Sequence, residues 1–461
     1  MDKNSFKIRG IVEGFYGRPW SWDERKAMLR FAGKNGYNLY IYAPKADSFH
    51  RHDWREMYPD TFLKEFSYLI KIGNENDMDI SMAVSPGLSL VYSSEEEMDT
   101  LVRKFEVFIK LGTKTCALFL DDIPWKLQHD PDIEKYEDLA DAQQDFTNRL
   151  YTRLKEIDPG ISLIFCPTEY YGIKPNEYRK KIGKTINRDV EIMWTGPWVC
   201  ARELKIEDTK AVSEEYQRPL LFWDNYPVND ASMVSEMHIG PYTGRENHLN
   251  RVSSGIVINP MNQPYASMIP MKAIGRYLLD CSDYEASAVL ENVVMEDFPD
   301  CSDEFMHFIG ANLRSHLHPE DPERSVLLVE KLKENLKSWH FEELSEMLSE
   351  ESKSIERDYT RISETISEQL NYELGLWLEE YRNYAAIYRH LAVIYSNIGE
   401  YYHNGEMKPE TIKVFKKSVE DLESVMKTVA FHKTRVFGTC IRNYVLDYLV
   451  TAKGIVTLLD Y

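Results

Sequence analysis

Eight short β-rich runs alternate with helical stretches across the first 290 or so residues, and this constrains the fold more than any other feature. The runs are Lys7–Glu13, Tyr37–Ala43, Met78–Val84, Thr115–Asp121, Ser162–Cys166, Asp189–Trp194, Pro219–Trp223 and Gly255–Ile258. Several are continuously apolar rather than alternating (CALFL, LIFC, LLF, IVI), as suits strands covered on both faces in a parallel sheet. Helical patterns fill most gaps: Trp22–Lys34 after an N-cap-like Ser21, then Thr61–Asn74, Glu95–Leu111 and Leu139–Ile157. The last two units are less regular, with a long loop-like stretch between Asn225 and Gly255. Eight βα-like units in this length predict an α/β fold, a (β/α)8 barrel of the TIM type. A doubly wound open sheet is the alternative. It would be expected to carry a G-x-G-x-x-G loop after its first strand, and there is none.

Beyond residue 300 the chain changes character. It becomes rich in Leu, Glu, Lys and Tyr and nearly free of proline. Two domains are expected: a catalytic barrel over residues 1–295 and a helical bundle over 300–461. The predicted helices are Asp303–Ser315, Glu323–Asn335, Phe341–Leu370, Leu374–Ile398, Pro409–Thr428 and a last one near Val436–Leu459. Leu376, Tyr381, Tyr384, Ala385, Tyr388 and Leu391 form a stripe at helical spacing that suits a bundle core or a dimer face. Any homodimer contact is expected in this domain.

A net charge of −20 repels phosphate backbones and anionic lipid on average, so neither nucleic acid nor a membrane is an expected partner. The six cysteines make no C-x-x-C pair; Cys116 and Cys166 lie in apolar strand-like runs and read as buried thiols. With no apolar N-terminal segment and no long apolar run, the chain is expected to be soluble and cytoplasmic.

Chemistry in such barrels sits at the C-terminal ends of the strands. Those ends read Glu13-Gly14-Phe15-Tyr16, Tyr42-Ala43-Pro44-Lys45, Asp121-Asp122, Pro167-Thr168-Glu169-Tyr170, Trp194-Thr195-Gly196, Trp223-Asp224-Asn225 with Asp230 shortly after, and Asn259-Pro260-Met261-Asn262. Polar groups that can bond hydroxyls stand beside aromatic rings that can cover sugar C–H faces. Arg and Lys are too sparse for a phosphate site. Asp121-Asp122 is the sharpest feature. In isolation such a pair also suits a helix N-cap or a turn. At a strand end, two close carboxylates cannot both ionise cheaply, so one pKa is expected to rise, leaving one acid and one anion for glycoside cleavage.

The stretches GIVEGFYGRPW (10–20), YAPKADSFHRHDWREMYP (42–59), LFLDDIP (118–124), FCPTEYYG (165–172), MWTGPWV (193–199), FWDNYPVND (222–230) and INP (258–260) occur in order across the barrel. In them the sequence resembles glycoside hydrolase family 84, the protein O-GlcNAcases and their bacterial β-N-acetylglucosaminidase relatives. The resemblance implies that Asp121 orients the substrate's 2-acetamido group and Asp122 is general acid, then base. The acetamido oxygen would be the nucleophile, giving an oxazoline and retention, an exception to the two-carboxylate rule. It implies further that Tyr170 contacts the acetamido group and the intermediate, Asn225 supports the acetamido end, and Trp223 lies in the sugar pocket. Asp230 would hold O4 and O6, Lys45 and the Gly14 backbone would lie near O3, Asn259 near O4 or O6, and Tyr16 and Val199 would form pocket walls. No cofactor and no metal are implied.

The expected activity is release of terminal β-linked GlcNAc from Ser or Thr of proteins; free glycans or glycosaminoglycan fragments are the alternative substrate. Two other classes compete with this reading. A metal-dependent amidohydrolase would use His50, His52 and Asp53, but these lie beyond the second strand's end. A non-catalytic GlcNAc-binding protein would be favoured by loss of either aspartate, and both are present.

Overall fold

In a computed structural model, which describes residues 3–459, the chain forms two compact units. The first takes the chain to Ala231 and resumes over Pro241–Val289; the second consists of Ser232–Gly240 and the chain from Leu290 onward.

The first unit is a closed barrel of eight parallel strands in sequential order, each pairing with its neighbours and β8 closing on β1. Its elements are β1 (Ile8–Glu13), α1 (Trp22–Lys34), β2 (Leu39–Tyr42), α2 (Asp60–Glu75), β3 (Asp79–Val84), α3 (Glu95–Leu111), β4 (Thr115–Phe119), α4 (Asp130–Lys135), α5 (Leu139–Ile157), β5 (Ser162–Cys166), α6 (Glu177–Thr185), β6 (Glu191–Trp194), α7 (Ile206–Tyr216), β7 (Leu220–Asp224), β8 (Ser253–Ile258) and α8 (Pro264–Leu279). The apolar runs lie where their composition demands. Val12, Ile41, Ala83, Ala117, Phe119, Ile164, Met193, Leu221 and Val257 fill the barrel, and alternate residues such as Leu118 and Phe165 are equally buried. Ser21 caps α1 in a reciprocal box with Glu24, as its sequence suggested. The loop-like stretch after β7 carries two 3-10 turns where the other connections carry α-helices. Strand four ends at Phe119, not Asp121, so the aspartate pair stands on the loop just beyond the strand.

The second unit holds α9 (Ala286–Asp297) from Leu290 on, then α10 (Ser302–Ala311), α11 (Glu323–Lys337), α12 (Phe341–Thr365), α13 (Glu368–Asn404), α14 (Pro409–Phe431) and α15 (Cys440–Leu459). Two expectations need correction. The break placed between Leu370 and Leu374 lies instead at Ile366-Ser367, where Ser367 turns to extended backbone and its side chain accepts the Leu370 N–H at 3.3 Å as an N-cap. From there α13 runs 37 residues, about 55 Å at 1.5 Å per residue, to a left-handed Gly405. Of the predicted stripe, Tyr381, Tyr384, Ala385, Tyr388 and Leu391 are buried, whereas Leu376 is exposed. No helix among the described residues is long and apolar enough to cross a membrane. All six cysteines are free thiols, with Cys116 and Cys166 buried.

Candidate active site

The strand-end carboxylates divide into two kinds. Glu13 is fully buried; the Arg25 guanidinium forks onto both its oxygens at 2.8 Å, and the Tyr40 hydroxyl and Trp20 N–H complete its bonds. Asp224 is held in the same way by Arg245 and the Tyr242 hydroxyl. Glu13 accepts four bonds and Asp224 three, and both are committed to an arginine clamp that locks the barrel mouth. Glu169, at the end of strand five, accepts from Asn176; Asp121, Asp122 and Asp230 carry no arginine clamp.

Asp121 is 5% exposed. Its Oδ2 accepts from the Lys45 ammonium, which lies 3.7 Å from Asp122 Oδ2. Its Oδ1 is buried with no hydrogen-bond partner. An acceptor stranded like that costs about 1–3 kcal/mol unless a ligand donates to it.

Asp122 has φ +53°, the left-handed region that non-glycine residues avoid unless the surroundings impose it. The turn aims its carboxylate between two phenols: Tyr170 donates to Oδ1 at 2.8 Å and Tyr16 to Oδ2 at 2.9 Å. Burial alone would raise its pKa. Lys45, the Tyr170 and Tyr16 hydroxyls and Arg51 together outweigh burial and hold Asp122 below the usual carboxylate range. Asp122 is therefore not raised by its neighbour in the empty site. Lys45, in contact with Asp121 and 3.7 Å from Asp122, is the largest of the groups that pull Asp122 down. The partners' own shifts agree: the Lys45 ammonium is raised by Asp121 and Asp122 against its burial, and the Tyr170 hydroxyl is raised by burial and by Asp122.

All eleven residues singled out in the sequence fall into two connected networks. One runs from Asp230, whose Oδ2 accepts the Tyr16 N–H at 2.7 Å, through Tyr16 to Asp122, Tyr170, Lys45 and Asp121. Burial raises the Asp230 pKa, against the pull of the Tyr16 N–H and Lys45. The other network is made of amides. Asn225 Oδ1 accepts from the Trp223 indole and from Asn259 Nδ2, both at 2.9 Å; Asn225 Nδ2 donates to the Val199 carbonyl at 2.7 Å; Asn259 Oδ1 accepts the Gly14 N–H at 3.3 Å. Val199 thus enters through its backbone, its side chain being exposed. Gly14 has to be glycine: a Cβ there would sit 2.5 Å from Trp223 Cζ2. Trp223 packs on Phe119 and lies 5.7 Å below Lys45 Nζ, joining the two networks through its ring.

The metal-site alternative is not assembled. His50 is buried with Nδ1 on the Ala83 carbonyl, its pKa pushed down to about 3 by burial, while His52 is exposed and faces Asp53. The described residues whose ligand atoms lie close enough to share an ion are Glu137, Asp138 and Asp141, and Lys181 already bridges them.

Sequence reasoning missed Arg51, whose guanidinium lies 5.8 Å from the Tyr16 ring and helps depress Asp122, and the exposed Trp125, 6.2 Å from Tyr171. Arg51 lies inside one of the quoted motifs, but neither its spacing nor its type pointed to the mouth.

Proton transfer beside a neutral sugar lying against aromatic rings is the work of a glycoside hydrolase, and a barrel mouth holding unclamped carboxylates among phenols and amides falls in that class. The β-N-acetylglucosaminidase family model matches residues 9–310, and the chain belongs to that family, glycoside hydrolase family 84. It is 33% identical to the protein O-GlcNAcases of Rattus norvegicus and Mus musculus over 324 residues, 69% of this chain and 34% of theirs. The chain therefore spans about a third of the length of these curated relatives. The solved structure of an Asp-to-Asn mutant of the Thermobaculum terrenum O-GlcNAc hydrolase is 36% identical, with a TM-score of 0.92 over 97% of this chain and 96% of that one.

Proposed function

We propose that this chain is a retaining exo-β-N-acetylglucosaminidase that removes terminal GlcNAc from Ser and Thr of proteins, with the substrate's own acetamido group as nucleophile. The observation that carries this reading is the buried, unpartnered Oδ1 of Asp121 beside Asp122. A 2-acetamido N–H would supply the missing donor, and an acetamide held there by its N–H presents its carbonyl oxygen as a nucleophile.

In this reading the acetamido oxygen attacks the anomeric carbon as Asp122 gives its proton to the departing glycosidic oxygen. Asp121, hydrogen-bonded to the N–H, offsets the positive charge developing on the amide, leaving an oxazoline that keeps that proton on its nitrogen, an oxazolinium ion. Asp122, now a carboxylate, accepts a proton from water, which opens the ring on the face the leaving group vacated. Two inversions give net retention. In the empty site the phenols of Tyr16 and Tyr170 favour the Asp122 anion. A substrate whose glycosidic oxygen takes their place withdraws those donors and dries the site, which raises the Asp122 pKa toward a working acid. Tyr170 is then free to donate to the acetamido oxygen and the intermediate. Trp223 and Tyr16 wall the sugar, with Val199 at the rim. Lys45 and Gly14 lie near O3, Asn225 at the acetamido end, Asn259 near O4 or O6, and Asp230 holds O4 and O6.

The protein substrate is supported by what the relatives are called. The test is an aryl β-N-acetylglucosaminide beside an O-GlcNAc peptide. Turnover of both is expected. Failure on the aryl glycoside would end the enzyme reading, and turnover of it alone would replace the protein substrate with free glycans.

A further inference from the structure

Lys104 lies on α3, away from the aspartates, and is fully buried. Its ammonium has three N–H donors, and each has one acceptor: the carbonyls of Phe49 at 2.7 Å, Trp54 at 2.7 Å and Glu56 at 2.6 Å. The rings of Tyr58 and Phe49 cover it at 4.8 and 5.9 Å. All three carbonyls belong to the loop joining β2 to α2. Burying an ammonium without a touching carboxylate is expensive, so a site that satisfies every one of its donors is a built feature.

What that loop carries makes the feature consequential. Near its start is Lys45, in contact with Asp121 and 3.7 Å from Asp122; in its middle is Arg51, beside the Tyr16 ring. The loop's other ties bracket the same segment. The His50 carbonyl accepts the Ser85 N–H at 2.8 Å, and Asp47 accepts the hydroxyls of Tyr42 and Tyr58 at 2.8 and 2.9 Å. Of the groups that hold Asp122 as an anion, Lys45 and Arg51 come from this loop, whereas Tyr16 and Tyr170 do not.

We infer that Lys104 is a positioning residue for the reaction: it fixes the β2–α2 loop so that Lys45 and Arg51 are delivered to the aspartate pair. The inference rests on Asp122 being the acid/base. Loss of the tether lets the two cations recede, which weakens the stabilisation of the Asp122 anion and moves its titration upward. A purely structural defect lowers the amount of active enzyme and leaves the shape of the pH profile alone.

The experiment compares wild type, Lys104→Met, Lys104→Arg, Arg51→Gln and the Lys104→Met/Arg51→Gln double variant on an aryl β-N-acetylglucosaminide, with kcat/KM measured against pH and Tm recorded for each. Lys104→Met is expected to lower kcat/KM about 10- to 100-fold. It should also move the basic limb of kcat/KM to higher pH by about half a unit or more. Arg51→Gln should move the limb the same way, and the double variant should fall short of the sum because both act through one loop. Lys104→Arg should recover part of the loss. A folded Lys104→Met with an unmoved limb, or with effects that add to those of Arg51→Gln, overturns the inference. Should Lys104→Met not fold, Lys104→Gln, which keeps two N–H donors, takes its place with the same limb shift required. An inactive wild type would instead count against the proposed function, so the two failures are distinguishable.

Discussion

The barrel and the helical unit both bury a carboxylate oxygen that nothing satisfies, and only one of them is read as a ligand site. In the helical unit Asp358 is 1% exposed; its Oδ2 accepts from Tyr381 at 2.9 Å and faces His307 at 3.2 Å, and its Oδ1 has no partner. In the barrel Asp121 has the same pattern with Lys45 in place of Tyr381. The company separates them. Asp121 adjoins a second carboxylate that is one-third exposed and bracketed by two phenols, so a ligand can reach the pair and a proton can move. Asp358 is enclosed by helix side chains, with Phe308 packed edge-on against the Tyr381 that binds it. A stranded acceptor marks a site where it meets groups able to do chemistry, and elsewhere it is a local cost.

The largest effect that would test this contrast comes from changing one carboxylate in each unit. Asp122→Asn is expected to lower kcat/KM by about 10²- to 10⁴-fold on glycosides with poor leaving groups, and less on activated aryl glycosides, which need little protonation. Asp358→Asn should leave kcat/KM near wild type and act on Tm. Equal losses across leaving groups in Asp122→Asn, or a catalytic loss in Asp358→Asn, would break the comparison.

Asp230→Ala comes next. It removes the acceptor of the Tyr16 N–H and, in the proposed pocket, the partner of two sugar hydroxyls, at about 1–3 kcal/mol per lost bond. A fall in kcat/KM of about ten- to several-hundred-fold follows, with a matching loss of affinity for a GlcNAc-thiazoline-type inhibitor. Near wild-type kinetics, or rapid cutting of internal hyaluronan bonds, would contradict an exo-acting pocket.

A smaller effect sharpens the electrostatics. The Tyr170 hydroxyl helps hold Asp122 low, so Tyr170→Phe should raise the Asp122 pKa and move the basic limb of kcat/KM upward, by under about one unit. In wild type the basic limb of kcat should lie above that of kcat/KM, as the proposed displacement of the phenols by bound substrate requires. Coincident limbs would mean that they stay in place.

The smallest effect belongs to the helical unit. Burial pushes Glu380 up to about 7, against the Thr434 hydroxyl and two arginines. A carboxyl raised on folding binds protons more tightly in the native state, so its contribution to stability is greatest at low pH and is lost as pH rises from its unfolded value through about 7. The Tm of wild type should therefore fall relative to Glu380→Gln between pH 5 and pH 8, with kcat/KM unchanged by the substitution. Parallel Tm curves for the two proteins would remove the assignment.

The barrel was legible because its strands are apolar on both faces and their order is written in the alternation of runs. The chemistry-bearing ends followed from strand direction alone. The helical break at Ile366-Ser367 was hidden because the apolar spacing continues through it and only one capping serine marks it. The division of carboxylates was hidden for another reason. Glu13 and Asp224 look as free as Asp121 in the sequence, and are disarmed by Arg25 and Arg245, the latter 21 positions away. The titration of Asp122 depends on Lys45, 77 positions upstream, which no local spacing reveals.

Asp121 and Asp122 are proposed to work on an acetamido nucleophile belonging to the substrate. The most direct test of that proposal is kcat/KM for aryl glycosides whose acetamido methyl carries none, one, two or three fluorines. A steady fall is expected as fluorine weakens the carbonyl oxygen, with a changed slope in Asp121→Asn. A flat series, or comparable turnover of the plain β-glucoside, would contradict it.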